Sequence, residues 1–130
     1  MSAPRAQASV NVAAIERNCS RLRSELRAGA ELCAVVKADG YGHGAAPSAH
    51  AALAGGASWL AVASAQEARE LRECGVSGAP ILVMGALSLD EVAEALAADA
   101  DVVVWSERYV RAVAEAGGGR VHVKLDSGMG

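Results

Sequence analysis

A chain of 130 residues is about the modal length of one domain, enough to bury a real core and too short to expect a second complete one. Its hydrophobic fraction of 52% against 3% aromatics argues against disorder and predicts an aliphatic interior, with Trp59 and Trp105 as its few large pieces. A formal net charge of −3 provides no basic face for a phosphate backbone, which argues against nucleic-acid binding.

In chain order, "MSAPRAQASVNV" contains no apolar core of signal-peptide length. No later run approaches the roughly 20 apolar residues of a membrane helix, so the cytoplasm is the expected compartment. "IERNCSRLRSELR" interleaves arginine with glutamate and reads as a solvated helix face. Five short apolar runs then read as buried strands: "LCAVV" (32–36), "WLAVA" (59–63), "ILVM" (81–84), "VVVW" (102–105) and "VHVKL" (121–125). Most are apolar throughout and do not alternate, as in parallel strands covered on both faces. Between them, "SAQE" (64–67) and "SLDE" (88–91) match the S-x-x-E capping box that opens a helix, and glycines at 55, 56, 75 and 117–119 suit helix ends. Cys19, Cys33 and Cys74 cannot all pair within one chain and show neither C-x-x-C nor Cys/His metal-ligand spacing. Reduced thiols are expected, with Cys33 buried in the first strand.

Strand, loop, helix and strand recur every ~20 to 26 residues, the rhythm of a repeated βαβ unit. Two architectures fit this α/β pattern: an open doubly wound sheet, and a (β/α)8 barrel, which normally needs about 250 residues. The first strand is not followed by G-x-G-x-x-G, which weakens the dinucleotide-binding alternative. The last strand runs into "KLDSGMG" with no helix after it, an ending that an incomplete barrel predicts.

Chemistry gathers in "VVKADGYGHG" (35–44). Lys37 closes a strand, where α/β folds place ligand-facing side chains, and a lysine amine can form a Schiff base with a carbonyl such as that of pyridoxal phosphate. The following glycines would let backbone N–H groups approach an anion, and Tyr41 offers a hydroxyl to a phosphate oxygen. The competing reading makes Lys37 a solvated strand end and the glycines simple turn residues.

"AVVKADGYGHGA" (34–45) resembles the cofactor-lysine motif of the bacterial alanine racemases, and "VKLDSGMG" (123–130) resembles a later motif of the same family. "ASWLAVASAQEARELRECGV" and "PILVMGAL" between them fit as well, so the likeness covers nearly the whole chain but only about the first third of a full-length member. The resemblance implies the N-terminal portion of a (β/α)8 TIM-type barrel over residues 1–130, incomplete in this chain and without the family's β-rich C-terminal domain. It implies a pyridoxal-phosphate-dependent isomerase that interconverts L- and D-alanine, supplies D-alanine for peptidoglycan, and works as a homodimer with shared sites. Lys37 would hold the cofactor as an internal aldimine and act as one of two opposed bases, and Tyr41 would hydrogen-bond the phosphate. Lys124 matches a lysine that is carbamylated in some members and there positions an arginine; without that arginine, a plain lysine at the barrel mouth is the simpler expectation.

By the same resemblance His43 has a structural role in the loop and Asp39 no catalytic one, while Met84 either borders the cofactor or packs. His50 and His122 are expected as surface or strand-packing residues, with no metal site. The second base, a tyrosine of the C-terminal domain, is not in this chain, so these 130 residues alone are not expected to racemise alanine. Half a barrel would also expose two edge strands and an apolar inner face. The alternatives are a broad-specificity racemase of the same fold, a non-catalytic barrel that carries pyridoxal phosphate, and an α/β binding module in which Lys37 is ordinary.

Overall fold

The computed structural model describes residues 5–129. In chain order they form α1 (Val12–Glu25), β1 (Cys33–Val35), α2 (Lys37–Tyr41), α3 (Ala45–Ala54), β2 (Trp59–Val62), α4 (Ala65–Glu73), β3 (Ile81–Val83), α5 (Leu89–Ala97), β4 (Ala100–Val104), α6 (Glu107–Glu115) and β5 (Val121–Val123). All five expected strands are present, with ends that differ from the expectation by no more than two residues.

The strands pair in parallel in the order β1-β2-β3-β4-β5. Each strand lies beside its successor, without the reversal of order that creates the crevice of a doubly wound sheet. Barrel winding has this consecutive order, so topology separates the two architectures that periodicity left open.

Alternation along each strand sorts the side chains into two layers. Leu60, Val62, Ile81, Val83, Val102 and Val104 face the helices and pack with Leu71 of α4, Val92 of α5 and Val113 of α6. Each such burial stabilises by about 1.5–3 kcal/mol, so this layer dominates the fold. The core is aliphatic, as expected, but the tryptophans are not its large pieces. Trp59 and Trp105 fall on the other parity: Trp59 is half-buried and meets His122 edge-on, and Trp105 is exposed and lies against Tyr109. Cys33 shares that parity on edge strand β1 and is exposed, contrary to the expected burial; Cys19 is the buried thiol.

The inner face also carries a polar cluster. Asp101 of β4 is only 2% exposed, and its carboxylate accepts from Arg120 Nε at 2.6 Å and pairs with His122 Nε2 at 3.0 Å. Arg120 also donates to Asp99 Oδ1 at 2.8 Å, and this bond from the guanidinium holds the Asp99 carboxyl below its ordinary range. A carboxylate amid apolar residues is tolerable because both its oxygens are matched.

Helix starts follow the sequence signals closely. At α5 both halves of the capping box form: Ser88 Oγ accepts from the Glu91 N–H, and Glu91 accepts from the Ser88 N–H. At α4 only the first half forms. Ser64 Oγ accepts from the Glu67 N–H, but the Glu67 carboxylate is engaged elsewhere.

Arg72, near the end of α4, ties the N-terminal ends of two strands together. Its guanidinium donates to the carbonyls of Val76 and Ala79 before β3 and of Ala98 and Asp99 before β4, at 2.9–3.1 Å. Arg72→Met keeps the aliphatic stem and strands these acceptors; unfolding in urea should show a loss of about 2–3 kcal/mol.

Candidate active site

β1 delivers Lys37 to the site. The Val36 N–H donates to Ala61 O at 2.9 Å, one residue beyond the strand, and Val36 turns into the helix-facing core. Lys37 therefore emerges on the inner side, half-buried, at the C-terminal end of the sheet. Among the described residues it forms no ion pair.

The backbone then winds the wrong way. Ala38 (φ 51°, ψ 51°), Asp39 (φ 53°, ψ 45°) and Gly40 (φ 62°, ψ 35°) are left-handed, followed by Tyr41 at φ 57° and Gly42 at φ 83°. Non-glycine residues pay roughly 1–2 kcal/mol each for this conformation, and they usually visit it singly. A consecutive run of this kind persists only where its surroundings hold it.

Those surroundings are specific. Gly40 N donates to Val36 O at 3.0 Å, Gly42 N to Ala38 O at 3.2 Å, His43 N to Gly40 O at 3.1 Å and Gly44 N to Asp39 O at 2.8 Å. His43 Nδ1 lies 2.8 Å from the Gly40 carbonyl; because a carbonyl only accepts, Nδ1 carries the proton. Asp39 Oδ1 accepts from the Ala45 N–H at 2.9 Å and closes the turn onto α3, whose N-terminal position Gly44 has no side chain to cap it. From the other side, the Glu67 carboxylate accepts from the Ala38 N–H at 2.8 Å through Oε1 and from the Ala63 N–H at 2.7 Å through Oε2. Gly40 also lets the turn sit close on α3, where an added Cβ would lie 2.9 Å from Ser48 Oγ.

This bonding corrects one expectation. The amides of residues 38, 40 and 42–45 are all engaged within the turn and its supports, so the glycine loop is not a cradle of N–H groups for an anion. The group left to meet one is Tyr41, whose side chain stands out of the turn with the residue 60% exposed.

On the far side of the sheet, Met84, Val103, Trp105, Lys124, Leu125 and Asp126 line a cleft of about 630 Å³. Met84 thus borders a cavity, and Lys124 stands at the exposed end of β5, its N–H bonded to Val104 O. Lys37 is not part of this lining. At about 4.8 Å per strand, four steps separate β1 from β5 by roughly 19 Å along the sheet. The structure thus carries Lys37 and Tyr41 on one turn, and leaves Lys124 on the opposite rim. His50 Nε2 pairs with Cys74 O at the surface and His122 with Asp101, and no group of metal-ligating side chains occurs among the described residues.

Sequence reasoning missed Glu67 as part of the site, the hand of the turn, Arg72 and the buried Asp101. Only Glu67 carried a signal, as the fourth residue of "SAQE".

The consecutive parallel strands define the front part of a β/α barrel, and the amine at the mouth of the first strand, on a strained turn with a phenol four residues on, is its candidate site. The chain belongs to the family described as alanine racemase, N-terminal domain, whose model matches residues 10–130. It is 42% identical over 128 residues to an alanine racemase of Desulforamulus reducens, covering 95% of this chain and 34% of that protein. The crystal structure of alanine racemase from E. faecalis matches 93% of this chain and 34% of its own, with TM-score 0.86 and 40% identity. That of Bacillus anthracis alanine racemase with bound L-Ala-P matches 93% and 32%, with TM-score 0.85 and 35% identity. The chain thus spans about a third of the length of the curated relatives it matches.

Ala63, which receives Glu67, is in turn overlain by Gly85. A Cβ there would overlap the Ala63 carbonyl oxygen. Gly85→Ala should therefore destabilise by about 1–3 kcal/mol in denaturant unfolding, as overpacking against backbone does.

Proposed function

We propose that these residues are the N-terminal part of the barrel domain of a pyridoxal-phosphate-dependent alanine racemase, and that the whole protein interconverts L- and D-alanine. The observation that carries this reading is Lys37, half-buried and without an ion-pair partner among the described residues, at the end of β1 beside the left-handed turn. The donor set fits the cofactor: an amine for its aldehyde and, on Tyr41, a hydroxyl for its phosphate. Bound pyridoxal phosphate supplies an electron sink that makes the Cα–H of an attached amino acid acidic. Lys37 would hold that group through its amine, and the same amine would be the base that exchanges the Cα proton on one face.

Tyr41 would hold the cofactor's phosphate by donating its hydroxyl in a charge-assisted bond. Met84 and Trp105 line the apolar part of the cleft on the far side of the sheet. Lys124 stands on the rim across from Lys37, where a plain lysine at the barrel mouth is the simpler reading. The opposed base comes from outside these residues, from the C-terminal domain of a partner subunit in a homodimer. D-Alanine made in the cytoplasm would feed peptidoglycan.

In the full-length protein, Lys37→Ala should lower racemisation on the order of 10³-fold or more and abolish borohydride trapping of the cofactor on the Lys37 peptide. Tyr41→Phe should keep that covalent link and weaken cofactor binding about tenfold, read by visible-absorbance titration. A trapped adduct that persists elsewhere in Lys37→Ala would remove Lys37 from the chemistry.

A further inference from the structure

We propose that Glu67 is a positioning residue for Lys37, acting through the backbone on which the lysine is mounted; the inference rests on the reading that Lys37 carries the cofactor. The Ala38 amide, the peptide bond immediately after Lys37, donates to Glu67 Oε1 at 2.8 Å. The orientation of that peptide plane is the ψ of Lys37, so fixing it fixes the direction in which the lysine side chain leaves the chain. The other oxygen, Oε2, accepts from the Ala63 amide at 2.7 Å, just past the end of β2. One carboxylate thereby references the lysine to the neighbouring strand.

Three features make this more than a helix cap. A capping box would return the glutamate to the N–H of the helix-capping serine, as Glu91 does to Ser88. Glu67 instead spans 29 residues to the turn, while Ser64 alone caps the start of α4. Ala38 is the first left-handed residue of the run, at φ 51°, with no side-chain group of its own to favour that conformation. A charged acceptor on its amide is what secures the entry to the turn, as Asp39 secures the exit at Ala45. Finally, a carboxylate has two acceptors and no donor, and matches two N–H groups at once. A glutamine of the same shape would satisfy one amide and set its own NH₂ against the other.

The test uses the full-length protein loaded with pyridoxal phosphate. Glu67→Gln should raise the cofactor dissociation constant about tenfold in an absorbance titration, the effect of one charge-assisted bond. It should also lower kcat for alanine about tenfold or more with KM little changed, because a misplaced base is felt at the reacting atoms. Ser64→Ala is the control: it removes the cap of α4, lowers Tm, and should leave the dissociation constant and kcat within about twofold. Should Glu67→Ala fold poorly, the isosteric Glu67→Gln decides. Cofactor binding and kcat unchanged in Glu67→Gln would overturn the proposal, as would equal losses in Ser64→Ala at a matched loss of Tm. Loss of the trapped adduct in Lys37→Ala, measured alongside, checks the underlying reading independently: an adduct retained there refutes Lys37 as anchor whatever Glu67 does.

Discussion

The run of left-handed residues that follows β1 is the constraint on which the site depends. Ala38, Asp39 and Tyr41 each oppose it sterically, so an isolated peptide of this sequence would not hold the shape. It is held because the amides of Ala38, Gly40 and Gly42 are matched and because two carboxylates, on Glu67 and Asp39, close its ends against different helices. The result is a short, stiff bracket that leaves Lys37 at the inner side of the sheet and turns Tyr41 outward. A flexible glycine loop could reach the same points, but would lose conformational entropy each time it ordered around a ligand.

Behind the bracket, the two faces of the sheet obey different rules. The helix-facing side is aliphatic and closely packed, with Leu60, Val62, Ile81 and Val83 fully covered. The inner side mixes Trp59, Val103, Asp101 and His122, and its polar members are satisfied by one another. The Asp101 pairs link β4 and β5 through bonds with direction, in addition to the ladder.

Much of the fold was legible because its signals are local or periodic. Runs such as "ILVM" have the length and apolar character of covered parallel strands, and "SLDE" encodes its own helix start in four residues. Strand order was not legible from rhythm: both winding schemes produce the same alternation and pair β1 with β2, and only the unbroken succession through β2–β3 and β3–β4 distinguishes them. Lys37 and Tyr41 could be read from motif and resemblance. The hand of their turn could not, because "ADGYG" announces positive φ only at its glycines, while Ala38 and Tyr41 follow under tertiary restraint. "SAQE" shows the same limit. Its pattern correctly marks the start of α4, yet the carboxylate finds a stronger use 29 residues away, a contact no local rule contains. Cys33 and the tryptophans were misjudged for a related reason: an apolar run does not say which of its alternate members will face the helices.

The guanidinium of Arg72 gathers carbonyls at the N-terminal ends of β3 and β4, and Arg120 with Asp99 sits at the same end. Lys37, Tyr41 and Lys124 all lie at the other. The molecule thus separates durability from reactivity along the strand axis. Substitutions on the rim that carries Lys37 need not loosen the scaffold, and stabilising changes at the opposite rim can offset strain in the left-handed turn 10–15 Å away, roughly the length of a three- to five-residue strand. A chain built this way can vary at one end while remaining the same object at the other.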